Sequence, residues 1–434
     1  MKGYVPCWYM HSYMPVVAPA IFVATLLAIL TRPLGLGEGV AALIGGALMV
    51  ATAVVPVPAA LGVLAANWDV FLFFLGMLTV TALAEQAGIF SWLAAWAARL
   101  SCGSKRRLFL NVFILGVLIS TFLTNDATAL ILSPLVYSTV RLLELDPLPY
   151  MFACTFIADT ASLTLPVSNP INILVGEHFG LTATGFLRYL LLPSLAAIAI
   201  NVAAFLVLFR RRTGGRFDIA LLREREAPPS HRLYFRYTAV VLLLLAVAFV
   251  AGGITGVPAG MIALVGAALL LGGATTLRAV DARRFAHDFS WGIFPFIAGL
   301  FVVVRGIERV GLTASIGHVL HSAPDNPLVS ALLSMGVSAA GTNLINNVPM
   351  ALVMVSAIGP ARGAVGHALV YGTLLGCDLG PNLTTTGSLS TMLWLLLLRQ
   401  RGLQISSLQY LRLGVIVTPL MLLATALILG ATVQ

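Results

Sequence analysis

Charge is what this chain has least of. Asp, Glu, Lys and Arg together make up 9% of its 434 residues, while 59% are hydrophobic and the mean hydropathy is +0.99. Ordinary soluble domains carry about 25% charged residues, so a water-soluble fold is excluded and the class is a polytopic membrane protein. Cysteine is scarce too. Cys7, Cys102, Cys154 and Cys377 are scattered without paired spacing, which argues against a zinc site and a disulfide framework. No His pair has metal-ligand spacing, and His178, His318, His321 and His367 fall near the outer ends of apolar runs, where a surface or interface role is the default. No cleaved signal peptide is legible. Residues 1–13 read as an interfacial start, and the run from Pro15 to Leu30 is long enough for a first span.

Apolar runs fall near 15–30, 40–55, 69–84, 108–122, 128–140, 148–163, 186–209, 237–251, 258–272, 291–304, 328–341, 348–358, 365–376 and 389–432, the last broken at 399–407. Several are shorter than the ~20 residues a crossing needs. The net charge of +9 sits at their boundaries and reads as a topology signal, not as a nucleic-acid surface. Segment 210–236 carries eight Arg and the pair Pro228-Pro229, which marks a cytoplasmic linker between two halves. Suppose 108–122 with 128–140, and 328–341 with 348–358, are re-entrant hairpins opening to opposite sides. Every basic residue except Lys2, Arg188, Arg305, Arg309 and Arg362 then lies inside. The expected fold is therefore all-α, with ten spans plus two hairpins and both termini outside. A twelve-span arrangement with both termini inside is the alternative. The expected organisation is an N-terminal extension 1–13, a first repeat 14–210, a basic linker 211–236 and a second repeat 237–434.

The halves repeat. Trp68, Phe71, Gly76, Glu85 and Gly88 recur 223 residues later as Trp291, Phe294, Gly299, Glu308 and Gly311. Asn125-Asp126 recurs 221 later as Asn346-Asn347, and Ser162-Leu163-Thr164 with Ser168 recurs 220 later as Asn382-Leu383-Thr384 with Ser388. Five spans is an odd number, so the second copy must be inverted. Polar breaks at matching positions of inverted repeats point to a transport site at the midplane.

The stretch 376–394 is the centre of this pattern. Gly376, Gly380, Pro381 and Gly387 interrupt a helix there, amid Asp378, Asn382, Thr384, Thr385, Thr386 and Ser388. Irregular backbone at membrane depth must be buried in protein or line a wet cavity. An ordinary loop outside the membrane is the bland reading, and the apolar runs on both sides argue against it. The first half breaks at 164–172, where Pro166 and Pro170 interrupt the helix and Ser168, Asn169 and Asn172 supply polar groups. The hairpin tips add Thr124, Asn125, Asp126 and Thr128 on one side, and Asn343, Asn346 and Asn347 on the other. Asn offers both donor and acceptor groups and suits a small neutral hydroxylated ligand, although Asn also serves as glue between helices. Asp126 faces Asn347 in the repeat, so this acid is present in one half only. Intramembrane carboxylates are costly and usually mark ion or proton paths, which makes Asp126 the first candidate for proton coupling. Asp159 and Asp378, offset by 219 residues, are further candidates. Either could instead cap a helix N-terminus at its break. Glu85 and Glu308 lie at span ends beside Gly, where an interfacial role is the simpler reading.

Five stretches carry a resemblance: FLTNDATALILSP (122–134), FIADTASLTLPVSNPINI (156–173), FDIALL (217–222), NNVP (346–349) and GCDLGPNLTTTGSLSTMLWL (376–395). With them the chain resembles the ArsB family of arsenite and antimonite efflux permeases, within the ion transporter superfamily. The NDA, SNP and NNVP elements are shared more widely in that superfamily. The resemblance implies a scaffold domain, a transport domain carrying both hairpins, and export of trivalent arsenic or antimony hydroxide in exchange for protons. It also implies a multi-pass protein of the bacterial inner membrane without a cofactor, and some members of the family work with a soluble ATPase, ArsA. It places Asn125, Asp126, Ser168, Asn169, Asn346, Asn347, Thr384 and Ser388 at substrate-site positions. Thr128 and Asn172 border them, and Cys377 could lend a thiol, although packing is its simpler role. The chain departs from the pattern at Asn382, where similar relatives often carry Lys, and at Thr385-Thr386, where Pro and an aliphatic residue are usual. Loss of that cation could alter coupling or substrate preference.

The arsenic trihydroxide is uncharged at neutral pH, so hydroxyl and amide groups can hold it without a counter-charge. A tight thiolate trap would want about three convergent sulfurs. Two other classes compete with this reading. One is a cation/proton or anion transporter of the same superfamily, which sodium-dependent transport in vesicles would favour. The other is an intramembrane enzyme, which would need a nucleophile with a base, or a metal cluster, and no His lies near the polar breaks.

Overall fold

The computed structural model describes residues 7–220, 231–281, 283, 285–286, 289–322 and 324–433, and for 7–13 and 34 the backbone alone. Residues 1–6 of the expected N-terminal extension lie outside the described residues. So do 221–230 of the linker, with Arg223, Arg225 and Pro228-Pro229, and so does Arg284.

The described chain is helical, as lipid demands of a backbone with no water to bond. The first half runs α1 (Cys7–Thr31), α2 (Glu38–Ala51), α3 (Val57–Ala66), α4 (Trp68–Gln86), α5 (Ile89–Leu100) and α6 (Lys105–Phe122). A single turn at Asn125–Ala127 and a π-helical stretch Thr128–Leu132 lead into α7 (Ser133–Leu142). Then come α8 (Leu148–Ala161), α9 (Pro170–Phe179) and α10 (Ala183–Leu208). The second half holds α11 (Arg232–Thr255), α12 (Ala259–Thr276), α13 (Ile293–Arg309), α14 (Leu312–His321), α15 (Pro327–Ile345), α16 (Asn347–Ile358), α17 (Gly363–Leu379), α18 (Leu389–Gln400) and α19 (Ser407–Thr432).

Seven of the described helices are long and apolar enough to cross a membrane alone: the Met14–Thr31 part of α1, α4, α10, α11, α12, α15 and α19. The others fall short for visible reasons. α6 has 18 residues but opens on Lys105, Arg106 and Arg107. α8 and α9 are 14 and 10 residues because Pro166 and Pro170 interrupt what would be one helix. α17 and α18 are 17 and 12 residues on either side of the 3₁₀ turn Gly380–Leu383, which holds Pro381.

The repeated positions do the same work twice. Gly88 (φ 84°) and Gly311 (φ 77°) turn the chain in the left-handed region, where glycine is strain-free, and each opens a short helix, α5 and α14. Gly76 brings α4 onto α12, where a Cβ would come 2.4 Å from the Ala263 carbonyl carbon. Gly299 brings α13 onto α2, where a Cβ would come 2.2 Å from the Ala42 carbonyl carbon. The two contacts cross over: each pairs a helix of one half with a helix of the other.

Buried aromatic rings pack the first broken helix, α8, against α10 and α19. Phe156 of α8 meets Phe205 of α10 at 4.9 Å and Tyr410 of α19 at 5.0 Å between ring centres. One end of the molecule gathers the basic loops. Arg401 meets Tyr137 and Ser138, Arg212 pairs with Asp146 at 3.1 Å, and Ser104 bridges to Arg216. The expected linker therefore begins on the same face as the 99–107 cluster. At the opposite end the Tyr189 ring packs at a tilt against His367 and Tyr371, and the His321 ring meets the Ile358 carbonyl at 3.0 Å.

Candidate functional site

The two interrupted helices and the two tips meet in one buried polar cluster. Its hub is Asp159, in the last turn of α8 and 1% exposed. Asn125 Nδ2, from the first tip, donates to Asp159 Oδ1 at 3.2 Å. Ser388, at the start of α18, donates to the same oxygen at 3.4 Å, and Thr391 donates to Oδ2 at 3.5 Å. Asn169 caps α9 by accepting from Ile171 N at 3.2 Å, and its Nδ2 donates to Asp378 Oδ1 at 2.6 Å. One amide thus ties the break of the first half to the end of α17 in the second. Asp378 Oδ2 is buried without a partner.

Asp126 leans the other way and accepts a hydrogen bond from Ser390 Oγ. A cavity of about 20 Å³ lies between Asn125, Asp126, Asn169, Asn347, Ser388 and Ser390 on its polar side and Phe74, Ile293 and Phe296 of α4 and α13 on its apolar side. That is room for about one water among these polar groups.

The remaining expected residues surround this centre without lining it. Thr128 is fully buried and pairs with Ser120 at 2.7 Å. Ser168 donates to the Thr121 carbonyl at 2.7 Å and so fastens the first break to α6. Asn172 donates to the Ser162 and Leu165 carbonyls at 2.7 and 3.2 Å, closing the gap that the prolines leave in the helix ladder. On the second tip Asn346 Nδ2 donates to the Thr386 carbonyl at 3.3 Å, and Thr384 donates to Asn343 Oδ1 at 2.6 Å. Cys377 is fully buried in α17, and among the described residues no cluster of His, Cys, Asp and Glu could hold a metal ion.

Neither Asp159 nor Asp378 caps a helix N-terminus. Each sits in the last turn of its helix, at the electronegative end, so the capping alternative is corrected. The N-terminal caps at the breaks are Asn169 and Ser388 positions instead. Ser390 and Thr391, which touch the two acids, escaped the sequence reading. Their signal was the Ser-Leu-Ser-Thr run from Ser388, which puts three hydroxyls within one turn of the break.

Two crevices approach the cluster from opposite ends. The one from the basic end, about 430 Å³, is lined by Glu85, Thr124, Asp126, Ser290 and Gln400, and it reaches Asp126. The one from the other end, about 340 Å³, runs between α9, α10, α11 and α12 and stops at Pro166 and Asn172. No residue of the central cluster lines it.

The family profile described as arsenical pump membrane protein, ArsB, matches residues 17–431. The chain belongs to the ArsB family. An arsenical pump membrane protein of Escherichia coli (strain K12) is 34% identical over 410 residues, covering 92% of this chain and 95% of that protein. One from Yersinia enterocolitica is 34% identical over 407 residues, with the same coverage. Among solved structures the fold is similar to that of the Alcanivorax borkumensis YdaH transporter. The TM-score is 0.61 at 16% identity, covering 95% of this chain and 97% of that one. ArsB chains are multi-pass membrane carriers and not enzymes, which settles the enzyme alternative and bears out the family resemblance read from the motifs.

Proposed function

We propose that this chain is a secondary active transporter that exports arsenite, and antimonite, as the neutral trihydroxide in exchange for protons across the bacterial inner membrane. The observation that carries the reading is the convergence of both tips and both breaks on one cluster of amides, hydroxyls and carboxyls. Neutral donors and acceptors match a small polyol-like solute. A carboxyl group at the same place can trade its proton for that solute.

In this reading the chain is two inverted repeats, 14–210 and 237–434, joined by the basic segment 211–236. Each repeat has five spans, a re-entrant hairpin (α6 with α7, α15 with α16) and a broken span (α8 with α9, α17 with α18). The crossing of α4 with α12 and of α13 with α2 supports the two-fold relation, since equivalent glycines make equivalent contacts. The basic end is cytoplasmic by the positive-inside rule. The crevice that reaches Asp126 then opens to the cytoplasm, where substrate is taken up and a proton released. Asn125, Asp126, Asn169, Asn347 and Ser388 form the inner ring of the substrate site. Thr128, Ser168, Asn172, Asn346, Cys377 and Thr384 support it, and Asp126, Asp159 and Asp378 carry protons.

The test is arsenite uptake into everted vesicles under an imposed proton gradient, with and without sodium. Uptake that collapses with a protonophore and is indifferent to sodium is expected. Uptake that persists without the proton gradient and follows sodium would overturn the coupling.

A further inference from the structure

Beside Asp159 on α8, outside the central cavity, lies a second buried polar group that the transport reading leaves unused. Thr160 follows Asp159 in the chain, and its hydroxyl donates to the Phe156 carbonyl at 2.7 Å. The same oxygen accepts two amides. Asn201 Nδ2, from the C-terminal half of α10, reaches it at 2.7 Å, and Asn382 Nδ2, from the turn between α17 and α18, reaches it at 3.2 Å. Thr160 is then saturated. The other end of each amide is not, because Asn201 Oδ1 and Asn382 Oδ1 are both buried with no partner.

A third group faces the same place. On α19, Gly414 packs so closely that a Cβ there would lie 2.6 Å from the Asn382 carbonyl oxygen, and Met421 Sδ meets the Thr160 hydroxyl at 3.7 Å. Thr418 is one turn from each of these and on their face of the helix. Its hydroxyl is buried with no partner as well.

Leaving three buried polar atoms unpaired would cost roughly 1–3 kcal/mol each, so the arrangement calls for a guest. What remains open is two acceptors and one hydroxyl. A water molecule matches that set: it donates one hydrogen to each Asn oxygen and accepts from Thr418. Buried waters typically make about three such bonds to otherwise unsatisfied groups.

We propose that Asn201, Asn382 and Thr418 enclose a binding site for one water molecule, beside Thr160, that joins the second break to α10 and α19. Asn382 is already tied to the helix that carries Asp159 by its direct bond to Thr160, and the water adds ties from Asn382 to α10 and α19. The second break is thereby held to α10 and α19 as well as, through Thr160, to α8. This proposal does not rest on the identity of the transported solute.

The full-length protein in detergent or nanodiscs tests it in three ways. A density map that resolves ordered water should show a peak within hydrogen-bond distance of all three atoms, and an empty gap would overturn the site. Asn201→Leu and Thr418→Val, combined in a double-mutant cycle on melting temperature, should be coupled. The second substitution should shift the midpoint less than half as much once the first is in place, whereas additive shifts would overturn a shared guest. If Asn201→Leu fails to fold, Asn201→Ser replaces it in the cycle. Melting temperature should be the same in sodium chloride and in choline chloride of equal ionic strength. A sodium-specific rise that Thr418→Val abolishes would replace water with a metal cation.

Discussion

The two tips answer the same structural need with different chemistry. At the first, Thr124 caps the turn Asn125–Ala127 by accepting from Ala127 N at 3.2 Å, and the helix resumes through a π-helical stretch. Its polar groups are engaged: Asn125 with Asp159, Asp126 with Ser390. At the second, α15 and α16 are separated by Asn346 alone, at φ 75° and ψ 158°. That region is nearly reserved for glycine and costs on the order of 1–3 kcal/mol for other residues. Asn346 Oδ1 is buried without a partner. The first tip is acidic with its polar groups paired, and the second is strained and neutral. Strain held beside an unpaired acceptor suits a tip that changes shape when solute arrives. An acid held by a hydroxyl, at the head of an open crevice, suits a tip that handles protons.

The largest expected effect falls on the acid. Asp126→Asn should abolish uphill arsenite export while the protein still reaches the membrane and folds. Cells carrying the change that keep full arsenite resistance would remove Asp126 from the coupling role. A sharper form moves the acid across the repeat. Asp126→Asn combined with Asn347→Asp should remain inactive in everted vesicles, because the crevice from the basic end is lined by Asp126 and not by Asn347. Recovery of transport would erase the distinction between the tips. Smaller effects should separate the backbones. Asn346→Ala and Asn346→Gly both lose the bond to Thr386, but only Ala keeps the strain, so it should lower the melting temperature more than Asn346→Gly, by an amount corresponding to about 1 kcal/mol. Equal shifts would mean that the positive φ stores nothing. The smallest effect should come from Cys377→Ser. This buried thiol lines neither crevice nor the central cavity, and most transport should survive. Complete loss would return the thiol to the list of ligands.

Much of this was legible before any coordinate. Scarce charge dictated helices in lipid, and Pro166, Pro170, Gly380 and Pro381 marked both interruptions to within a few residues. The recurrence of Gly76 as Gly299 was legible as a repeat, but the two close helix contacts it makes, possible only without a side chain, were not. What stayed hidden was partnership. Asn201 sits in a uniformly apolar run, and nothing local says that its amide meets Thr160 and shares it with Asn382. Asp159 and Asp378 looked equally suited to capping a helix start. Only the ends of α8 and α17 decide otherwise, and those ends depend on prolines and glycines several residues downstream. Sequence periodicity reports which face is buried, but a hydrogen bond between residues some 220 apart is set by how whole helices are laid together.

The crossed seating of α4 on α12 and of α13 on α2 has a consequence for how the chain is made. A ribosome releases α2 and α4 long before their partners exist, so for that interval the surfaces around Ala42 and Gly76 face lipid with nothing to grip. Severing the protein between residues 209 and 231 would yield two incomplete pieces, each missing half of every such joint, and neither should become a stable carrier until the other is synthesised alongside it.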